Sequence, residues 1–143
     1  MKRNLLITKP DIQLNKFIAD TMVLVLSLER RKMPLEIKGI VEMARKGSCE
    51  IYIPSIVFAE LAYLSEKHRI ETNLIEVSNF LVQYQLINEL PMTLSTIEHS
   101  FEIKDIPELH DRIIAGSARE ISVPILTNDP VIRSSSYIEC IWD

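Results

Sequence analysis

Glycine is scarce, with three residues in 143. No glycine-rich turn exists to cradle a phosphate, which excludes a P-loop or dinucleotide site. No flexible linker marks a boundary, no segment is of low complexity, and no internal repeat is visible. Cysteine is sparser still. Cys49 and Cys140 have no Cys-x-x-Cys partner and sit in apolar, strand-like stretches, so they read as buried free thiols. His68, His99 and His110 are scattered without zinc-ligand spacing and read as surface residues. No apolar run reaches the ~18 residues of a membrane span, and residues 4–10, after Lys2 and Arg3, are too short for a signal h-region. A cytosolic chain is expected. A basic excess is missing as well: the net charge of -4 argues against a broad basic face for nucleic acid. Setting four candidate site acids aside from the 20 Asp plus Glu leaves 16, matching the 16 Lys plus Arg. The acidity could thus be one pocket on a neutral body.

What is present is alternation. Short apolar runs alternate with longer helical patterns, which predicts βαβ units, a mostly parallel sheet and an α/β fold. Strands are expected over 16–20, 50–53, 86–90, 123–127 and 138–142, and helices over 21–31, 56–68, 71–85, 93–103 and 107–121. Another helix opens at Pro34, a residue suited to a first helical turn, and ends near Gly47. The length fits one domain that needs no disulfide or metal staple. Residues 1–15 form an N-terminal extension, equally an edge strand or a frayed tail, before a domain over 16–143.

Four carboxylates follow predicted strands or open predicted helices. Asp20 ends a strand and begins a helix, which an N-cap also explains. Asp111 lies near the start of the helix containing Ala115-Gly116-Ser117-Ala118, where favourable interaction with the helix dipole is an adequate alternative. That small-residue stretch permits close packing. Asp129, in Thr127-Asn128-Asp129-Pro130, also fits an Asx turn before proline. Glu60 is harder to explain. It is the only charge in Ile56-Val57-Phe58-Ala59-Glu60-Leu61-Ala62-Tyr63-Leu64, and helical spacing sets it within the aliphatic face. Such an acid needs a salt bridge or a metal. Ligands of open parallel sheets bind outside the carboxyl ends of the strands, so the four acids can meet in one cleft. Oxygen-only donors suit Mg²⁺ or Mn²⁺.

These residues carry a resemblance. Ile18-Ala19-Asp20-Thr21, the run 53–61 ending in Ala59-Glu60-Leu61, His110-Asp111-Arg112-Ile113-Ile114-Ala115, and Pro124-Ile125-Leu126-Thr127-Asn128-Asp129 stand in the order and spacing of the PIN domain. The chain resembles bacterial and archaeal PIN-domain proteins, and more narrowly the VapC-like toxins of type II toxin–antitoxin modules. The resemblance covers about 16–142. It implies a three-layer α/β/α fold and Mg²⁺- or Mn²⁺-dependent cleavage of RNA. It also implies a homodimer and a cognate antitoxin. Thr127 matches the family's hydroxyl position before the last acid. Two features depart from the pattern: the extension before the first strand, and Met22, where the family commonly has a polar residue.

The activity expected is metal-assisted phosphodiester hydrolysis, with Asp20 and Asp111 as core ligands and Glu60 and Asp129 completing the shell. Arg30-Arg31-Lys32, Arg45-Lys46 and Lys67-His68-Arg69 could receive phosphates, although cations at predicted helix C-termini also offset the dipole. Apolar surface on the helical region 56–85 supports dimerisation. The alternatives are a catalytically impaired PIN module, which Met22 favours, a free-standing PIN nuclease without antitoxin, and a receiver domain. A receiver would want paired early acids and a lysine after the strand ending at Thr127, and neither is present.

Overall fold

The computed structural model describes residues 13–143; most of the extension, including its edge-strand reading, lies outside the described residues. Five strands form a single parallel sheet: β1 (Lys16–Ala19), β2 (Glu50–Pro54), β3 (Ile87–Leu90), β4 (Ile125–Leu126) and β5 (Cys140–Ile141). Their order is β3-β2-β1-β4-β5, and every neighbouring pair runs parallel. Central strands of such sheets are covered on both faces and therefore read as continuous apolar runs. Ile18 and Ala19 of β1 and both residues of β4 are buried accordingly. In edge strand β3, by contrast, Ile87 is buried while Asn88 and Glu89 are exposed.

Flanking the sheet are α1 (Thr21–Leu28), α2 (Leu35–Arg45), α3 (Ser55–Glu66), α4 (Leu74–Gln83), α5 (Leu94–Glu102), α6 (Leu109–Ile121) and α7 (Pro130–Arg133). The expected elements are all there, with shifted ends. The first helix stops at Leu28 rather than 31, and Arg30 follows with a φ of 52° that no helix sustains. The fourth begins at Leu74 rather than 71. Thr72 is held back by hydrogen bonds from its amide and hydroxyl to Glu29 Oε2, and Asn73 closes a capping box with Glu76. Pairing at β4 continues past its two residues: the Ile18 amide donates to the Pro124 carbonyl at 2.9 Å and the Thr127 amide to the Ile141 carbonyl at 3.1 Å. Helix α7 was not expected. Its signal, an Asp cap followed by Pro130 at the first turn, was present but covers only four residues.

Helices α5 and α6 pack closely because Gly116 has no side chain. A Cβ there would lie 2.6 Å from the Ser100 Cα and 1.9 Å from its Oγ. Cys49 is buried and Cys140 half-buried, both as free thiols, and burial pushes Cys140 up to about 11. His68 and His110 are exposed, while His99 is half-buried. None of the described helices is long and apolar enough to cross a membrane.

The strand order fixes where a site can form. The chain steps from β1 outward to β2 and β3, then returns to place β4 on the other side of β1. The direction of winding therefore reverses between β1 and β4, and a crevice opens at their carboxyl ends. Asp20 follows β1, and Thr127 and Asp129 follow β4. A receiver domain orders its strands 2-1-3-4-5, so that alternative fails.

Candidate active site

Asp20, Glu60, Asp111 and Asp129 all line one cleft of about 260 Å³ above this reversal point. Met22, Thr21, Leu64, Ile114 and Asn128 contribute to its wall, and among the described residues no Lys, Arg or His lines it.

Asp20 is the most buried of the four, 7% exposed. It caps α1, with Oδ1 accepting from the Val23 amide at 3.0 Å. The Thr127 hydroxyl donates to its other oxygen. Burial nevertheless outweighs these bonds and pushes the carboxyl up to about 6, with the charges of Asp129 and Glu60 adding to the rise. Thr127, fully buried, also accepts from the Asp129 amide at 3.0 Å. One hydroxyl thus ties the first acid to the last.

Asp129 caps α7, its Oδ1 accepting from the Val131 and Ile132 amides at 2.9 and 3.0 Å. Asp111 sits in the first turn of α6, whose N-cap is Glu108. Its carboxyl is pushed up to about 6, first by burial and then by the negative charges of Asp129, Glu108, Glu60 and Asp20. The capping and helix-dipole roles of these three acids therefore hold, and the cleft uses the same residues.

Glu60 departs from expectation. It does not lie within the aliphatic face: α3 buries Val57 and Leu61, and Glu60 is half-buried at the margin of that face beside the cleft. Among the described residues it has no salt-bridge partner. The Thr21 hydroxyl donates to its Oε1 at 2.6 Å. Thr21 and Asn128 were missed as site residues, although both adjoin acids that were singled out. Glu108, which caps Asp111 and accepts from His110 at 2.7 Å, had no signal beyond its place before the helix.

None of the three basic clusters lines the cleft; they sit at or just past the ends of α1, α2 and α3. Arg45 is structural: it binds Glu42 at 2.7 Å and the Ser27 carbonyl at 3.3 Å, and its guanidinium lies 5.5 Å from the Tyr84 ring centre.

Could these residues hold a divalent cation? Among the described residues no three His, Cys, Asp or Glu side chains close on one ion-sized point, so the acids line the cleft without forming a finished cage. Their chemistry fits all the same. The donors are oxygen only, which suits a hard cation that keeps several waters. Two of the carboxyls are held up near 6 by burial and mutual repulsion, strain that a cation would relieve.

A profile of the PIN domain family matches residues 17–134. The chain belongs to the PIN domain family. Among solved structures, this PIN domain is similar to that of VapBC2 from Rickettsia felis bound to a promoter DNA fragment, at 21% identity and TM-score 0.68, covering 90% of this chain and 99% of that one. DNA-bound VapBC from Salmonella typhimurium gives 23% identity and TM-score 0.67, with coverages of 90% and 98%. VapC20 from Mycobacterium tuberculosis, described as a toxin that cleaves the sarcin-ricin loop, gives 12% identity and TM-score 0.61, with coverages of 89% and 99%. At these identities the likeness establishes the PIN fold. No curated protein sequence matches the chain significantly.

Proposed function

We propose that this chain is a Mg²⁺- or Mn²⁺-dependent endoribonuclease and the toxin of a type II toxin–antitoxin module. One observation carries the reading: four carboxylates line a single cleft with no cationic side chain among the lining residues. Such a concentration of charge at a sheet's carboxyl edge serves folding poorly and metal-assisted hydrolysis well. Membership of the PIN family and fold likeness to VapC toxins support the toxin assignment. A cognate antitoxin, a homodimer and action in the cytosol belong to the same proposal.

Asp20 and Asp111 would hold the cation, with Glu60 and Asp129 completing the shell directly or through water. A cation bound there would supply an activated water and neutralise charge on the attacked phosphate. The chain's own contribution is orientation. Thr127 fixes Asp20 relative to Asp129, and Thr21 fixes Glu60. Burial keeps the Asp20 carboxylate poorly solvated, so that it favours a cation over water.

Met22 lines the cleft and is 41% exposed. It removes a polar group without removing a carboxylate, so the impaired-module reading gains nothing further from the geometry. The test is cleavage of a mixed-sequence RNA by purified protein with Mn²⁺, Mg²⁺ or EDTA, beside Asp111→Asn. The expected result is metal-dependent cleavage that falls by orders of magnitude in the variant. Equal cleavage by the variant would remove this cleft from the chemistry.

A further inference from the structure

A second groove, of about 480 Å³, shares Glu60 and Leu64 with the carboxylate cleft and is otherwise lined by Ala59, Tyr63 and His110. It continues the cleft along α3. Glu60 and Tyr63 are three residues apart on that helix, a rise of about 4.5 Å, and so share one face. Tyr63 is 57% exposed, although its neighbours on α3 at 57 and 61 are buried. An aromatic ring that contributes so little to the core is available to a ligand.

The ring also has a cationic neighbour. The Lys67 ammonium lies 5.5 Å from its centre, an attraction to the aromatic face that also sets a cation beside the groove. At the same place, Ala59 is exposed and small, which keeps the groove open. An aromatic platform, a cation and an acidic metal-type cleft in one line match the parts of a single-stranded nucleotide: base, phosphate and scissile linkage. Aromatic rings bind the bases of single strands by stacking, largely without regard to sequence.

We propose that the Tyr63 groove is a nucleobase subsite, taking the base of a nucleotide adjacent to the scissile phosphate of single-stranded RNA. This rests on the ribonuclease reading and deepens it. Tyr63 is the stacking platform, Lys67 meets the neighbouring phosphate, and Ala59 leaves room for the base. None of them touches the reacting atoms, so they set affinity and position rather than chemistry.

The experiment is fluorescence anisotropy in Mg²⁺ on the full chain carrying Asp111→Asn, so that RNA is not consumed. Two labelled probes are compared: a 12-nucleotide single-stranded RNA pool of random sequence, and an abasic ribose-phosphate oligomer of equal length and charge. The parent should prefer the base-bearing pool. Tyr63→Ala should weaken binding of that pool roughly 5- to 100-fold, as expected for one lost base stack, and leave the abasic probe almost unchanged. Tyr63→Trp should retain the preference. Ala59→Leu, which fills the groove and leaves the ring in place, should lose it. A thermal melt equal to the parent's shows that each variant is folded.

The subsite is overturned if Tyr63→Ala binds the pool as tightly as the parent, or if it weakens both probes alike. It is also overturned if the parent shows no preference for bases, as a groove used by a protein partner would predict. The wild-type cleavage assay keeps this outcome separate. Metal-dependent cleavage with an inert Tyr63→Ala rejects the subsite alone, whereas absence of cleavage rejects the ribonuclease reading itself.

Discussion

Replacing Asp20 by Asn should stabilise the metal-free protein, and the size of the effect follows from its surroundings. Asp20 caps α1 and is 7% exposed. Its carboxyl, ordinarily at 3.8, is pushed up to about 6, chiefly by burial. Between these two values the folded chain keeps a proton that the unfolded chain has released. Stability therefore falls as pH rises from about 4 to about 6 and levels off above, a loss of about 3 kcal/mol for this group. Asn has no charge to desolvate, caps a helix as well as Asp, and can still accept from the Val23 amide. Thr127 can reorient to accept from its amide. In EDTA at pH 7.5, Asp20→Asn should therefore exceed the wild type by roughly 1–3 kcal/mol, or roughly 3–10 °C in melting temperature. At pH 4, where Asp20 is protonated, the two should coincide. Mn²⁺ should then narrow or reverse the order at pH 7.5, because it stabilises the protein able to bind it. Thermal melts of both proteins under these conditions are sufficient. A variant less stable than wild type at pH 7.5 in EDTA would mean the opposite, that Asp20 is a cap whose charge the fold requires.

Three further outcomes follow from the same geometry. Glu60→Gln should change metal-free stability by less than about 1 kcal/mol, because no cation pairs with Glu60 among the described residues, and it should reduce the rise in melting temperature that Mn²⁺ gives. A metal-independent loss of about 3–5 kcal/mol would instead reveal a stranded buried partner. Gly116→Ala, placing a Cβ 2.6 Å from the Ser100 Cα, should cost about 1–3 kcal/mol by overpacking in urea unfolding; a gain of about 1 kcal/mol, the helix-propensity effect alone, would show that α5 and α6 separate freely. On α4, Ile75 and Val82 are seven residues apart and 73% and 83% exposed, so a homodimer should bury this stripe, and Val82→Lys should yield a monomer by light scattering at micromolar concentration; a monomeric wild type removes the dimer.

The sheet and the four acids were legible in the sequence for a physical reason. Central parallel strands are buried on both faces, so 16–20 and 123–127 stand out as apolar runs. Asp20 ends the first, Asp129 is the first charge after the second and Glu60 the first charge after β2, whereas Asp111 follows no strand directly and is marked only by its place at a helix start. Glu60 stands out as the lone charge of its apolar run, which is only part of its setting. Its position in an apolar run set it within a buried face, but helical spacing alone cannot say how wide that face is. In the fold α3 buries only Val57 and Leu61, which leaves Glu60 at the margin. Thr21 and Thr127 tie acids that lie 39 and 107 residues away in sequence, and no local pattern encodes those pairings. Thr127 was recognisable only through family resemblance. Helix α7 had its cap and proline but was too short to register as a period, and the start of α4 depended on the distant Glu29.

Asp20, Glu60, Asp111 and Asp129 are proposed to make one divalent-metal site together. Its most direct test is Mn²⁺ binding, read as the loss of free-Mn²⁺ electron paramagnetic resonance signal, by the wild type and each of the four Asp→Asn or Glu→Gln variants. Glu102→Gln, an exposed acid on α5 that does not line the cleft, serves as the control. Such a shared site requires saturable binding by the wild type and the control, and at least tenfold weaker binding by each of the four variants. Binding unchanged by removal of Asp20 or Asp111, or equally weakened by Glu102→Gln, would contradict it.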